Sequence, residues 1–147
     1  MAPPSFMQMA LDEARAAQDR GEVPVGCVIV RDGAVIASAG NRTLADRDPT
    51  AHAEILVLRA GAKLFGNERL IGTELYVTLE PCAMCAGAIS FARVDRLIYA
   101  ASDPKGGAIE HGPRFFTQPT CHHRPIVDKG DGEESGQLLR DFFRARR

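Results

Sequence analysis

The sequence predicts an α/β protein: a central mixed sheet with helices on both faces. Three observations predict it. Two apolar runs meet at Asp32-Gly33, the signature of a tight hairpin and hence of an antiparallel strand pair. The strand-like "YVTLE" and "RLIYA" are separated by a helix-like stretch, which reads as a right-handed parallel crossover. Helical segments stand at both ends of the chain and another follows the hairpin, enough to cover both faces of a sheet.

Each element has its own warrant. Residues 5–20, "SFMQMALDEARAAQDR", place Phe6, Met9, Ala10, Ala14 and Ala17 near helical period, and Gly21 stops that helix. "VGCVIVRDGAVIASAGN" supplies the hairpin. In "DPTAHAEILVLRAGAKL", Asp48 is expected to cap a helix with Pro49 at its first position, and Ile55, Leu56 and Leu58 are its apolar residues. "ELYVTLE" reads as a buried strand, followed by Pro81 and a small-residue helix through Phe91. "RLIYAA" is a further strand. Residues 102–132, rich in Gly and Pro, are expected to be mostly loop. The last segment, "EESGQLLRDFFRARR", is amphipathic, acidic at its start and basic at its end, as the helix dipole favours.

With 147 residues, 45% of them hydrophobic and 25% charged, a single globular domain over 1–147 is expected. No apolar run approaches the roughly 20 residues that cross a membrane. The N-terminus "MAPPSFMQMALDEA" lacks a basic and an apolar signal region, so a cytoplasmic protein is expected. In that compartment four cysteines point to metal, catalysis or core packing rather than disulfides. A net charge of −1 gives no global attraction to nucleic acid, so a polyanionic partner would need a local patch.

The chemistry gathers around "LYVTLEPCAMCAGAI". Cys82 and Cys85 lie three apart at the start of a helix, on one face and near its positive end. That spacing also suits a redox pair. A zinc site needs further ligands, and the best candidate is His52, which opens the other helix entered from a loop. Three protein ligands leave a fourth position for water, the mark of catalytic zinc. Glu54 follows His52 by two residues, about 200° round a helix, so it faces elsewhere and could meet the water from the side. Alone it would be read as a first-turn acid satisfying the dipole.

HxE together with PCxxC is the signature of zinc-dependent deaminases. The sequence resembles the bacterial tRNA-specific adenosine deaminases over nearly its whole length, in "EVPVGCVIV", "GNR", "DPTAHAEI", "LYVTLEPCAMCAGAI", "SDPKGGA" and "LLRDFFRARR". The resemblance implies a three-layer α/β/α cytidine-deaminase-like fold, acting as a homodimer. It implies conversion of the wobble adenosine of a tRNA anticodon stem-loop to inosine, with release of ammonia. One zinc ion (Zn2+) per chain would be held by His52, Cys82 and Cys85. Glu54 would deprotonate the zinc water, then protonate N1 of adenine and the leaving amine. Asn41 matches an asparagine that bonds the flipped base, Asp103 an acid near the target nucleotide, Lys105 a phosphate contact, and Phe143 an aromatic beside the bound loop. A structural role stands beside each: Asn41 and Asp103 as turn residues, and one of Phe142 and Phe143 as core.

The chain departs from this pattern at Glu110 and His111 in "GGAIEHG", and at Cys121, His122 and His123, which invite a second metal site between Pro119 and Pro125. Cys27, in a strand, is expected to be core. Two other functions compete. A deaminase of a free nucleobase or nucleoside (guanine, cytosine or cytidine type) would share the zinc site without needing Asp103, Lys105, Arg144, Arg146 or Arg147. A closed structural zinc module would recruit Cys27 and Cys121 and would leave Glu54 without a water to activate.

Overall fold

A computed structural model describes residues 5–146. Helix α1 spans Phe6–Asp19, and Ser5 Oγ caps it by accepting the Gln8 N–H at 3.0 Å. Strands β1 (Gly26–Arg31) and β2 (Ala34–Gly40) form the expected hairpin. Both turn residues have positive φ, 52° at Asp32 and 76° at Gly33, as a two-residue hairpin turn requires. Then follow α2 (Ala53–Phe65), β3 (Thr73–Leu79), α3 (Ala83–Ala92), β4 (Arg96–Ala101), β5 (Ile126–Lys129) and α4 (Glu133–Arg144).

The sheet runs β2-β1-β3-β4-β5. β1 is antiparallel to both β2 and β3, whereas β3, β4 and β5 are mutually parallel, so the sheet is mixed as expected. Every residue of β1 up to Val30 is buried, which tells that both faces are covered. Side-chain alternation divides them. Cys27 and Ile29, with Leu75, Val77 and Leu97, meet Val57 and Leu58 of α2 and Ala86 and Ile89 of α3. Val28 and Val30 meet Ala10 of α1 on the other side, with Phe6, Met9 and Tyr76 around them. α4 packs beside α1 on that second face, across β3 and β4. The result is the three-layer α/β/α arrangement.

α1 lies unusually close to the sheet. Gly26 and Gly40 are register partners on β1 and β2, and a Cβ on them would overlap the carbonyl oxygens of Ala10 and Glu13 respectively.

One expectation needs correction, and one that holds needs an addition. Asp48 does not cap α2: its Oδ1 accepts the Thr50 N–H and hydroxyl at 2.9 and 2.7 Å, closing a local turn, and the helix begins four residues beyond Pro49. The region 102–132 contains, besides loop and a short 3₁₀ turn at Phe115–Thr117, strand β5. β5 is a four-residue edge strand exposed along its whole length, so it carries no buried alternation to read, and an Arg96–Asp128 ion pair ties it to β4.

Candidate active site

His52 and Cys82 hold equivalent places in the fold. Each is the N-cap of its helix, α2 and α3, in extended backbone, and neither side chain caps its own helix. The cap carbonyls still accept the first helical N–H groups, from Leu56 and Ala86, so the helices start normally while imidazole and thiol stay available. Cys85, one turn into α3, completes the trio. His52 Nδ1 lies 3.7 Å from Cys82 Sγ and 3.5 Å from Cys85 Sγ. Zinc–sulfur and zinc–nitrogen bonds of tetrahedral geometry put such atoms about 3.6 Å apart, so the donor set fits zinc in both kind and spacing.

The ionisation of the trio agrees with that purpose. The Cys85 thiol and the His52 ring stabilise the Cys82 thiolate and bring its pKa down to about 4. The same contact with Cys82, together with burial and the Glu54 charge, pushes the Cys85 thiol up. Cys82 in turn raises His52. One proton is thus shared between the sulfurs, and binding a cation displaces it.

Glu54, at the second position of α2, is 3% exposed. Burial pushes its carboxyl up to about 7, against the opposing pull of its own backbone N–H and of His52. With His52 and Cys82 it lines a cavity of about 250 Å³, whose apolar walls are Val23, Val25 and Leu79. Asn41 and Asp103 also line it, so these two expected substrate residues are brought to the same place as the metal ligands. Asn41 Oδ1 accepts the Ala53 N–H at 2.8 Å. Asp103 Oδ1 accepts the N–H groups of Lys105 and Gly106 at 3.2 and 3.0 Å, so its turn role is real too.

Lys105 and Phe143 are brought together elsewhere. They share a second cavity, of about 540 Å³, with Leu139, Arg140 and Arg144 of α4. Phe143 is 51% exposed, whereas Phe142 beside it is buried, which resolves the pair. Arg146 turns back over the Phe142 ring, 3.5 Å from its centroid, and Arg147 lies outside the described residues.

Cys27, Cys121 and His123 are committed to packing and local hydrogen bonds, whereas His122 is exposed. Cys27 is fully buried in the core, as expected. Cys121 Sγ sits 3.2 Å from the His123 carbonyl oxygen, and His123 Nε2 lies 2.8 Å from that of Val94. Among the described residues, the clusters with metal-ligand spacing are His52–Cys82–Cys85 and Glu80–Glu110–His111. Neither Cys27 with Cys121 nor Cys121–His123 is among these clusters. All four cysteines are free of disulfides.

Residues 3–101 match the cytidine and deoxycytidylate deaminase zinc-binding region. The chain belongs to that deaminase family. It is 62% identical over 143 residues to the tRNA-specific adenosine deaminase of Agrobacterium fabrum, covering 97% of this chain and 94% of that one. A solved structure from work on A-to-I editing by tRNA:A34 deaminases matches with a TM-score of 0.84 at 63% identity, over 85% of this chain and 96% of the other. A guanine deaminase from Bacillus subtilis matches with a TM-score of 0.68 at 30% identity, over 98% and 95% of the two chains.

Sequence reasoning did not single out three residues that line or adjoin the two cavities. Arg140 stands in "LLRDFFRARR", but nothing in that motif separates it from the arginines that follow. Glu22 and Glu80 did carry a signal: each is an isolated acid beside apolar residues and a proline. Both are buried, at 1% and 2% exposure, and both receive loop N–H groups beside the cavity.

Proposed function

We propose that the 147 residues act as one domain in the cytoplasm, hydrolysing the wobble adenosine of a tRNA anticodon stem-loop to inosine and ammonia. The supporting observation is an adjacency across one turn. On one side Asp103 and Gly106 border the small cavity with Glu54. On the other, Lys105 borders a larger groove lined by Arg140, Arg144 and Phe143. A free base needs only the first, whereas a flipped base still attached to RNA needs both. The Agrobacterium tRNA deaminase and the tRNA:A34 deaminase structure, at 62% and 63% identity, stand at about twice the 30% of the guanine deaminase, which favours the same reading.

His52, Cys82 and Cys85 would hold a zinc ion, which when bound would acidify a water molecule toward neutral pH. Glu54 accepts a proton beside that position, and a pKa of about 7 suits a group that must take a proton and return it. It passes that proton to N1 of adenine as the water oxygen bonds C6. It then takes the remaining proton of that oxygen and hands it to the exocyclic amine, and the C6–N bond breaks to release ammonia. Asn41, its oxygen held by Ala53, keeps an amide N–H₂ for the base. Val23, Val25 and Leu79 exclude bulk water. Lys105, Arg140 and Arg144 meet phosphates, and Phe143 offers a stacking surface.

The homodimer implied by the resemblance has a candidate surface. Ile55, Leu58 and Ala62 of α2 and Ala88 and Phe91 of α3 line a shallow apolar groove of about 520 Å³, with Phe91 at 73% exposure. Phe91→Glu is expected to give monomers by analytical ultracentrifugation if a second copy covers this face. For the reaction, the deciding experiment is ammonia release from an anticodon stem-loop beside a panel of free bases and nucleosides. Preference for guanine or another free base over RNA would transfer the assignment to the nucleobase deaminases.

A further inference from the structure

Glu80 follows β3 and precedes Cys82 by two residues, and its side chain is fully buried. Its carboxylate gathers both ends of a single loop. Oε1 accepts the Asp103 N–H at 2.9 Å and lies 2.8 Å from His111 Nδ1. Oε2 accepts the N–H groups of Ile109, Glu110 and His111 at 3.0, 3.0 and 3.1 Å. A carboxylate has about four lone-pair sites, so these donors leave none for a substrate even though Glu80 borders the cavity. The loop is shaped around this group. A Cβ on Gly107 would overlap the Glu80 carboxylate, so only glycine lets the chain pass.

The loop so held is the partition between the two cavities, carrying Asp103 and Gly106 on one side and Lys105 on the other. The Asp103 side chain bonds within its own turn, so it stiffens that turn without tying the loop to the body of the protein. We infer that Glu80 is a positioning residue: it clamps both ends of the Asp103–His111 loop and thereby sets where Asp103 and Lys105 stand relative to Glu54. The chemistry of the clamp is specific to a carboxylate. An amide of the same shape has one acceptor oxygen, and its N–H₂ would face the N–H donors at one end of the loop. One end of the loop must then come loose.

This inference rests on the RNA-deaminase reading for its kinetic consequence, and two perturbations from opposite sides test it. Glu80→Gln removes the acceptor, and Gly107→Ala drives a methyl group against it without changing charge. Each is measured for zinc content, for amide hydrogen exchange along the chain, and for kcat and KM with an anticodon stem-loop. Both variants are expected to keep one zinc per chain and to exchange the 103 and 109–111 amides about tenfold faster. Both are expected to raise KM about tenfold or more with kcat within about threefold. His111→Gln, which loses one donor, is expected to shift KM in the same direction by less. Unchanged KM and exchange in both variants would overturn the clamp. So would a fall in kcat at constant KM, which puts Glu80 in the chemistry, or faster exchange spread evenly over the fold, which makes it a general stabiliser. Should wild type act on free bases and not on RNA, the functional reading fails while the exchange measurement still decides the clamp.

Discussion

Asn41, just past β2, accepts the Ala53 N–H with its side-chain oxygen at 2.8 Å, and so caps from outside the helix that carries Glu54 and starts at His52. The N-cap position itself is occupied by a histidine that makes no capping bond. The capping duty has moved to the neighbouring strand, which locks the hairpin to the metal-ligand helix.

Capping and base binding can therefore be separated at one residue. Asn41→Ala removes the acceptor and is expected to cost about 1 kcal/mol of stability, along with activity. Asn41→Asp keeps an acceptor for Ala53 but has no N–H₂. It should melt near wild type and raise KM for the stem-loop at least about tenfold. An Asn41→Asp enzyme with wild-type KM would reduce Asn41 to a cap.

Metal and proton transfer should also come apart. Glu54→Gln is expected to retain one zinc per chain while losing deamination by about 10²–10⁴-fold. Cys82→Ala and Cys85→Ala should lose both, because two ligands hold zinc poorly. The double variant Cys27→Ser, Cys121→Ser should keep its zinc whatever stability it loses. Metal analysis beside single-turnover rates distinguishes these patterns.

Glu22 gives a pH signature. Burial alone would raise its pKa, but N–H groups of Ala45 and Leu44 and the Thr43 hydroxyl outweigh it, so the carboxyl titrates below its ordinary 4.5. A depressed folded pKa means the stabilisation is complete above 4.5 and disappears as pH falls through the folded value. Glu22→Gln should thus be destabilised by about 1–3 kcal/mol at pH 7. The gap to wild type should close on acidification below pH 4.5 in denaturant titrations. A gap that stays constant with pH would mean that the charge is irrelevant.

The α4 groove should announce itself through salt. Replacing Arg140 and Arg144 with glutamine is expected to flatten the slope of log KM against log salt by about 0.7 for each phosphate left unneutralised. Zinc content should not change. The C-terminal arginines read together from the sequence do not act alike, since Arg146 is folded onto Phe142. The test accordingly falls on the two that line the groove.

What the sequence disclosed followed physical rules of different reach. Hairpin, crossover and end helices are local patterns, so their expected bounds lie within a few residues of those observed. The metal trio is legible because HxE and PCxxC fix ligands at two helix starts, and nothing but the fold is needed to bring them together. Asp48 misleads because an aspartate before proline satisfies a turn as readily as a helix, and only the placement of His52 decides between them. β5 is invisible because an exposed edge strand has no buried face. Glu80 stands inside the cysteine motif as an isolated acid among apolar residues, which flags it without disclosing its role. Its partners lie 23 to 31 residues away and donate backbone N–H groups, which no residue type advertises.

The contact of α1 with Gly26 and Gly40 has a reach beyond packing. Two absent side chains cut a notch across neighbouring strands, and the helix backbone is seated in it like a key. Val25 immediately precedes one glycine and Asn41 immediately follows the other, and both border the cavity on the far side of the pair. The depth of the pocket is therefore gauged from the opposite layer of the protein. Adding a methyl group at either glycine would press α1 away and move the adjoining Val25 or Asn41, reshaping the cavity that they border without replacing a single residue that lines it.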